Sequence, residues 1–270
     1  MKLGISSYTY TWAVGVPAYP YEVKKLAAVD LVRSASEKGV QVVQICDNLP
    51  LHKLGKDELI EVRDIAKRLG ISIEVGTCGV EPEHLRAYID IAEFLNSDIL
   101  RVILHKNDGL LGIEEAYSYI SEVLPEFEEK KIRLAIENHE RHSVKELAWL
   151  VKKLNSKYVG ICLDTVNSFG ALECPEQVIA ELAPFTINLH YKDFTIERLS
   201  HMMGFQITGT PAGKGMLDTE KLLSILKEKE CASSVILELW TPFTETVETT
   251  ILKESKWAEE SIKYLKEWVK

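Results

Sequence analysis

Residues Arg133–Arg141 read Arg-Leu-Ala-Ile-Glu-Asn-His-Glu-Arg, and this stretch decides how the rest of the chain is interpreted. It opens with the short apolar run Leu134–Ile136 and turns abruptly polar at Glu137. A short aliphatic run bounded by charge is typical of a strand buried on both faces, as in a parallel sheet. We therefore predict a strand over Ile132–Glu137 that ends in a carboxylate.

A helix is expected soon after this strand. Ser143 is a suitable cap for the helical pattern Val144–Leu154, and Glu146 completes a capping box. The junction therefore places a carboxylate between a buried strand and the start of a helix. Such a carboxylate belongs either to a solvated loop or to a functional site. The second interpretation is favoured because the same arrangement recurs three more times along the chain.

Short apolar runs alternate with longer amphipathic segments from one end of the chain to the other. The predicted strands are Leu3–Ser7, Val40–Cys46, Ile71–Thr77, Asp98–Leu104, Ile132–Glu137, Val159–Leu163, Thr186–His190 and Ser234–Leu239. The predicted helices are Glu22–Lys38, Lys56–Leu69, Pro82–Asn96, Gly112–Lys130, Val144–Leu154, Pro175–Leu182, Thr219–Lys229 and Glu245–Val269.

This alternation predicts an α/β fold, namely a single (β/α)8 TIM barrel spanning residues 1–270 as one domain. Strands that alternate with helices form parallel sheets, and eight such units in 270 residues fit a closed barrel of typical size. The rival is a doubly wound open sheet, which usually carries a G-x-G-x-x-G turn after its first strand. No such motif follows Gly4. In a TIM barrel the active site lies at the C-terminal ends of the strands.

Composition narrows the class of protein. A net charge of −9 argues against a nucleic-acid-binding surface, which requires a basic face. The five cysteines are odd in number and include no C-x-x-C pair, which suits a reducing, cytoplasmic location. The start of the chain has no long apolar stretch, so neither a signal peptide nor a membrane span is expected.

Four predicted strands end in residues that bind metals. Glu137 follows strand five, Asp164 follows strand six, His190 ends strand seven, and Glu238 ends strand eight. Three carboxylates and an imidazole at one mouth would make a site for one divalent ion, Mn²⁺, Mg²⁺, Co²⁺ or Zn²⁺. Taken singly, Asp164 also suits a helix cap and His190 a core histidine. Glu238 lies inside Val-Ile-Leu-Glu-Leu-Trp, where burial without a polar neighbour is costly.

Several longer motifs resemble the xylose isomerase-like barrel superfamily, and specifically its sugar-phosphate isomerase/epimerase branch. The resemblance covers essentially the whole chain. The motifs are Ile136–His139, Cys162–Thr165, His190–Asp193, Gly209–Gly215 and Glu238.

The resemblance implies both a metal site and a reaction. It implies that Glu137, Asp164, His190 and Glu238 bind one divalent metal, and that the two glutamates are catalytic on opposite faces of a bound sugar. The expected function is isomerisation or epimerisation of a ketose or sugar phosphate. The metal would stabilise an enediolate while one carboxylate removes a proton and the other returns it.

Other residues are candidates for substrate binding. Asn167 stands where many family members have a histidine three residues after the metal-binding aspartate, and the family's arginine after the metal-binding histidine has no match in register. Arg198 lies near that position. The candidates are Asn167, Lys192, His139, Arg198 and Trp240.

Two further expectations concern neighbouring residues. Arg101, inside strand four, needs a partner, and Glu74 is the simplest one. The aromatic residues Tyr8, Tyr10, Trp12, Tyr19 and Trp240 suit an apolar wall for a sugar, although such residues also occur at the contacts of a homo-oligomer.

Three alternatives remain open at this stage. A metal-dependent dehydratase or lyase acting on a keto-sugar or keto-inositol would share the enolisation step. An abasic-site endonuclease with three zinc ions would need additional histidines and a basic groove, which Asn167 and the negative charge oppose. The third is a non-catalytic subunit.

Overall fold

Eight parallel strands close into a barrel in the computed structural model, which describes residues 1–20, 22, 24–106, 111–229 and 232–269. The order around the barrel is β1-β10-β7-β6-β5-β4-β3-β2, and pairing of β1 with β2 closes it. The two remaining strands of the described chain, β8 and β9, form an antiparallel hairpin. The bounds are β1 Lys2–Ser6, β2 Val42–Ile45, β3 Ser72–Cys78, β4 Ile99–Ile103, β5 Arg133–Glu137, β6 Val159–Asp164, β7 Thr186–Tyr191, β8 Asp193–Arg198, β9 Phe205–Thr210 and β10 Ser234–Leu237.

The predicted barrel is confirmed, and so is each of its eight predicted strands to within about two residues. The helices are α1 Thr11–Val14, α2 Ala28–Glu37, α3 Lys56–Leu69, α4 Pro82–Leu95, α5 Ile113–Lys130, α6 Val144–Leu154, α7 Pro175–Leu182, α8 Thr219–Glu228 and α9 Val247–Trp268. The capping box predicted for α6 is present, because the Ser143 side chain accepts from the backbone of Glu146 and the Glu146 carboxylate accepts from the backbone of Ser143.

The predicted start at Glu22 of the first predicted helix, which corresponds to α2, is wrong. Helix α2 begins at Ala28, because the Asp30 carboxylate accepts a hydrogen bond from the backbone N–H of Ala27 and Ala27 itself is extended. An acid at the third helical position that accepts a hydrogen bond from the N-cap backbone in this way marks the residue where the helix begins. Residue 23, which the prediction also included, lies outside the described residues.

The barrel interior is packed tightly enough to require glycine at its first strand. A Cβ atom on Gly4 would lie 2.7 Å from Ile236 Cδ1 and 2.8 Å from Val42 Cβ. Gly4 pairs in register with both of these residues, on β10 and β2. The absence of a side chain at Gly4 therefore lets neighbouring strands fill the barrel with their own side chains.

The hairpin β8–β9 was not predicted from the sequence. It begins directly after β7 and carries several exposed apolar side chains, so no buried face marked it as a strand pair. At its base, Asp193 accepts hydrogen bonds from the backbone N–H groups of Gly213 and Gly215. The glycine-rich loop Gly209–Gly215 is thus organised around a carboxylate of its own chain.

Among the described residues, no helix is both long and apolar enough to span a bilayer.

Candidate active site

A cavity of about 480 Å³ lies at the C-terminal ends of the barrel strands. Its floor contains Arg101, Glu137, Lys192 and Glu238. Its rim is largely aromatic and aliphatic. The residues of the rim are Tyr8, Trp12, Val16, Tyr19, Ile103, Leu239, Trp240 and Phe243. The mouth of the barrel therefore joins a charged floor to an apolar rim, as ligand sites of α/β barrels commonly do.

His190 is completely buried and contacts two carboxylates of the floor, Glu137 and Glu238. Its Nε2 atom lies 2.6 Å from Gln44 Oε1, and the Gln44 amide nitrogen donates to Glu74. Since an amide oxygen can only accept, Nε2 carries the hydrogen in this arrangement. The other ring nitrogen, Nδ1, has no hydrogen-bond partner in the described structure.

Three carboxylates surround this unpartnered nitrogen. His190 Nδ1 lies 3.2 Å from Glu137 Oε2, 3.5 Å from Glu238 Oε2 and 3.8 Å from Asp164 Oδ2. Although burial opposes the charged form, Glu238 and Glu137 raise the pKa of His190 above its usual value. One imidazole nitrogen and three carboxylate oxygens therefore face the same point, where a cation would be stabilised.

These four residues fit a divalent metal ion. Ligand atoms of Asp164, His190 and Glu238 lie within 4.8 Å of one another, and the Cys162 thiol completes a second such group with Glu137 and His190. Including Asp47, four carboxylates face the two buried cations Arg101 and Lys192, which leaves a net charge of −2 when the imidazole is neutral. A divalent ion would balance that charge, and oxygen and imidazole ligands suit Mg²⁺, Mn²⁺, Co²⁺ and Zn²⁺.

Glu137 is held by two donors. Arg101 Nε donates to Glu137 Oε2, and Asn167 Nδ2 donates to Oε1 over 2.7 Å. Burial by itself would raise the pKa of Glu137, but the Arg101 guanidinium and His190 bring it well below its usual value. Glu137 is therefore an anion at neutral pH and a weak base.

Glu238 has the same character. Its Oε1 accepts from the Ser6 hydroxyl over 2.8 Å, and its Oε2 lies 2.6 Å from Lys192 Nζ. Burial opposes the charged form, but His190 and Lys192 lower the pKa of Glu238 below its usual value. Lys192 Nζ also pairs with Asp164, so one buried ammonium links two of the three carboxylates.

Asp164 is fixed by the turn that follows β6. Its Oδ1 accepts from the backbone N–H groups of Val166 and Asn167, over 2.9 and 2.8 Å. The Asn138 side chain bridges β5 and β6 by bonding both the N–H and the C=O of Asp164. These bonds leave the second carboxylate oxygen, Oδ2, directed toward Lys192 and His190.

The expected pairing of Arg101 with Glu74 is wrong. Arg101 lies beside Gly76 in the β3–β4 register, two residues nearer the mouth than Glu74. Its long side chain instead reaches Glu137 and Asp47, with Arg101 Nη1 at 2.7 Å from Asp47 Oδ1. The guanidinium is therefore part of the floor of the cavity.

The aromatic wall forms much as expected. The Trp12 and Tyr19 rings meet edge to face with centroids 5.2 Å apart, and Phe243 lies 4.8 Å from Tyr19. Trp240 also lines the cavity. Tyr10 does not, because its side chain is buried in the hydrophobic core.

The other predicted substrate-binding residues separate into two groups. Asn167, Lys192 and His139 line the cavity with Trp240. Arg198 does not line it. Arg198 lies on the exposed hairpin, where its Nη1 donates to the carbonyl of Met202 and its guanidinium stacks 4.5 Å from the Phe205 ring centroid. The prediction that Arg198 contacts substrate is therefore not supported, because the unforeseen hairpin carries it away from the mouth.

Sequence reasoning missed Gln44 and Asp47. Gln44 lies within the buried run Val-Val-Gln-Ile-Cys, and a polar side chain inside such a strand signals a partner across the barrel. Asp47 follows β2 and accepts from Tyr8 and Arg101. It is a strand-end carboxylate like three of the four residues that were selected, and the same criterion would have found it.

Comparison with known proteins agrees with this architecture. The family described as xylose isomerase-like TIM barrel matches residues 32–268. The chain is 33% identical over 267 residues to a 3-oxo-isoapionate decarboxylase of Pectobacterium atrosepticum, covering 98% of this chain and 95% of that protein.

Two solved structures resemble the fold at low sequence identity. A xylose isomerase-like TIM barrel protein from Mycobacterium smegmatis in complex with magnesium has a TM-score of 0.70, with 12% identity and 97% of each chain covered. A D-psicose 3-epimerase with D-tagatose from Clostridium cellulolyticum H10 has a TM-score of 0.70, with 17% identity and coverage of 98% and 97%. At these identities the likeness concerns the fold alone. Together with the family match, the closed barrel establishes that this chain belongs to the xylose isomerase-like TIM-barrel family.

Proposed function

We propose that this protein is a divalent-metal-dependent carboxy-lyase that removes carbon dioxide from a 3-oxo sugar acid. The proposal replaces the expected epimerase with a reaction close to the lyase alternative. It draws support from the 33% identity, along nearly the full length of both chains, to a 3-oxo-isoapionate decarboxylase.

The observation that carries the proposal is the pairing of both glutamates with buried cations. Glu137 pairs with Arg101, and Glu238 pairs with Lys192. An epimerase needs one carboxylate to remove a proton from carbon and another group to return it. Cations that lower the pKa of both glutamates make them poor at that task.

Decarboxylation of a 3-oxo acid needs no base. The bond between C2 and the carboxylate carbon breaks, its electron pair moves through C2 to the C3 carbonyl oxygen, and carbon dioxide leaves. The resulting enolate then takes a proton at C2. What this reaction needs is positive charge where the oxyanion develops, followed by a proton donor.

The described residues supply both requirements. A divalent ion held by Glu137, Asp164, His190 and Glu238 would add positive charge near the carbonyl oxygen. Arg101 contributes a fixed cation at the floor, and Lys192 holds a proton at Nζ in the same cavity. The Trp12, Tyr19 and Phe243 cluster can pack against the carbon skeleton and exclude water from the enolate.

Ketose 3-epimerisation is the second candidate. It is supported by the fold shared with the Clostridium D-psicose 3-epimerase and by the approach of both glutamates to His190 Nδ1, at 3.2 and 3.5 Å. Two carboxylates near one ligand position are what a two-base mechanism would use.

A direct comparison of substrates tests the proposal. The protein is loaded with Mn²⁺ and incubated separately with 3-oxo-isoapionate and with D-fructose. We expect carbon dioxide release from the acid and no epimer from the ketose. Epimer formation from D-fructose without carbon dioxide release from the acid would favour the second candidate and contradict the proposal.

A further inference from the structure

We propose that Glu74 and Gln44 are positioning residues that determine which ring nitrogen of His190 faces the metal. This inference rests on the metal site of the proposed function, but not on the reaction that the site performs. Neither residue lines the cavity at the mouth, so neither contacts substrate.

Glu74 lies inside the barrel near the N-terminal ends of the strands, where it lines a second cavity of about 500 Å³, and its hydrogen-bond partners are neutral. Its Oε2 accepts from Gln44 Nε2 over 3.0 Å and from Asn188 Nδ2 over 3.2 Å, and its Oε1 accepts from the Ser234 hydroxyl. The side chain is 4% exposed. Burial of a carboxyl group without a cationic partner is unfavourable, so packing alone does not account for an acid at this position.

The carboxylate fixes the orientation of the Gln44 amide. Because Glu74 Oε2 accepts two amide N–H bonds, the nitrogen of Gln44 must face Glu74 and its oxygen must face His190. Cys46 Sγ, 3.2 Å from Gln44 Oε1, can donate to the same oxygen. Both neighbours are therefore consistent with one orientation of an amide that is completely buried.

This orientation holds in either protonation state of Glu74. Burial raises the pKa of Glu74 above its usual value. A proton on Glu74 would reside on Oε1, where the Ser234 hydroxyl can accept, because Oε2 is already occupied by two donors. Gln44 would then still present its oxygen to His190.

The orientation of the Gln44 amide determines which nitrogen of the neutral His190 imidazole carries the hydrogen. Gln44 Oε1 requires a hydrogen on His190 Nε2, so the neutral ring presents the lone pair of Nδ1 to the three carboxylates. A metal-binding histidine commonly depends on such a partner at its second nitrogen. Here that partner is an amide, which could rotate by 180° if Glu74 did not hold it.

The test measures Mn²⁺ affinity by isothermal titration, with circular dichroism to monitor folding. Gln44→Met removes the acceptor, and Glu74→Met releases the amide. Loss of a comparable outer partner weakens metal binding by about ten- to a hundredfold, and we expect that loss in both variants. Ser234→Ala is the matched control, because it removes a bond to Glu74 Oε1 without changing the amide contact.

Exchanging the two side chains gives the decisive variant. In Glu74→Gln/Gln44→Glu, the carboxylate at position 44 accepts from His190 whatever its rotation, and the amide at position 74 can donate to it. We expect Mn²⁺ affinity to return to within a few fold of wild type. Wild-type affinity in folded Gln44→Met, or failure of the folded exchange variant to restore binding, would overturn the inference.

This outcome is distinguishable from failure of the proposed function. Wild-type protein that binds Mn²⁺ but releases no carbon dioxide would contradict the proposed reaction while leaving the effect of Glu74 and Gln44 on metal affinity measurable.

Discussion

At the scale of single residues, the site combines carboxylates with cations of the chain itself. Lys192 Nζ pairs with both Asp164 and Glu238, and Arg101 pairs with both Glu137 and Asp47. The buried cations lower the pKa values of Glu137 and Glu238, which favours metal binding over proton abstraction by these two residues. The same pairing supports the proposed carbon–carbon lyase over a two-base epimerase.

Lys192→Met should therefore slow the reaction without abolishing metal binding. A positioned proton donor typically contributes about 10²- to 10⁴-fold, and we expect kcat for carbon dioxide release to fall by at least about a hundredfold. The measurement is a steady-state assay beside a Mn²⁺ titration. Arg198→Met is the matched control, since Arg198 is a cation on the exposed hairpin and should leave kcat unchanged. An unchanged kcat in Lys192→Met would contradict the role given to this lysine.

The four metal-ligand candidates could be selected from the sequence because each lies at or next to the end of a predicted strand. Their partners could not all be inferred. Arg101 lies in an apolar strand, but only the register of β3 and β4 shows that it passes Glu74 and reaches Glu137. Partner choice across a barrel depends on stagger between strands, which local sequence does not encode.

At the scale of elements, helix α1 and its aromatic residue are held by one acid of helix α9. The Glu254 carboxylate accepts from the backbone N–H groups of Trp12 and Ala13, over 3.0 and 3.2 Å. Glu254 is completely buried, and burial raises its pKa to about 8 despite these two bonds. The wall of the cavity is therefore coupled to a buried titratable group.

Glu254 should make stability depend on pH. Its pKa is raised in the folded state from an ordinary value of 4.5 to about 8, so the folded protein binds the proton more tightly than the unfolded chain does. The stability linked to this proton is complete below about pH 4.5 and is lost as the pH rises to about 8. Urea unfolding at several pH values should show the free energy of unfolding of wild type falling relative to Glu254→Gln across this range. A difference that does not change with pH would contradict this prediction.

The elements themselves were largely predictable, and one success and one failure show why. Helix α6 was found with its cap because Ser143 and Glu146 act over three residues. The hairpin β8–β9 was missed because its strands pair mainly with each other and leave apolar residues such as Phe205 exposed. Periodicity detects strands with a buried face, and this pair lacks a consistent one.

At the scale of the whole molecule, the barrel brings together strand ends that are far apart in sequence. Glu137 and Glu238 are separated by about a hundred residues but both approach His190 Nδ1. The count of eight strand–helix units was sufficient to predict this meeting point, because parallel strands in a closed barrel share one C-terminal face. The distances between these side chains depend on how they pack, which the number of strand–helix units does not specify.

A metal that binds only the folded barrel should stabilise the whole molecule. At a Mn²⁺ concentration a hundred times Kd, the free energy of unfolding should rise by about 2.7 kcal/mol. Thermal melts with added Mn²⁺ and with a chelator measure this difference. Asp164→Asn should remain folded without the added stability, because it weakens the site without opening a core cavity. An equal metal-induced shift in Asp164→Asn would place the stabilising ion elsewhere.

The central claim is that a divalent ion binds between three carboxylates and His190 Nδ1. A crystal grown with Mn²⁺ and measured at the manganese absorption edge tests it most directly. We predict one anomalous peak about 2.0–2.5 Å from Nδ1 of His190 and from carboxylate oxygens of Glu137, Asp164 and Glu238. A map without a peak at this position, with Arg101 and Lys192 still pairing with the same carboxylates, would contradict the claim.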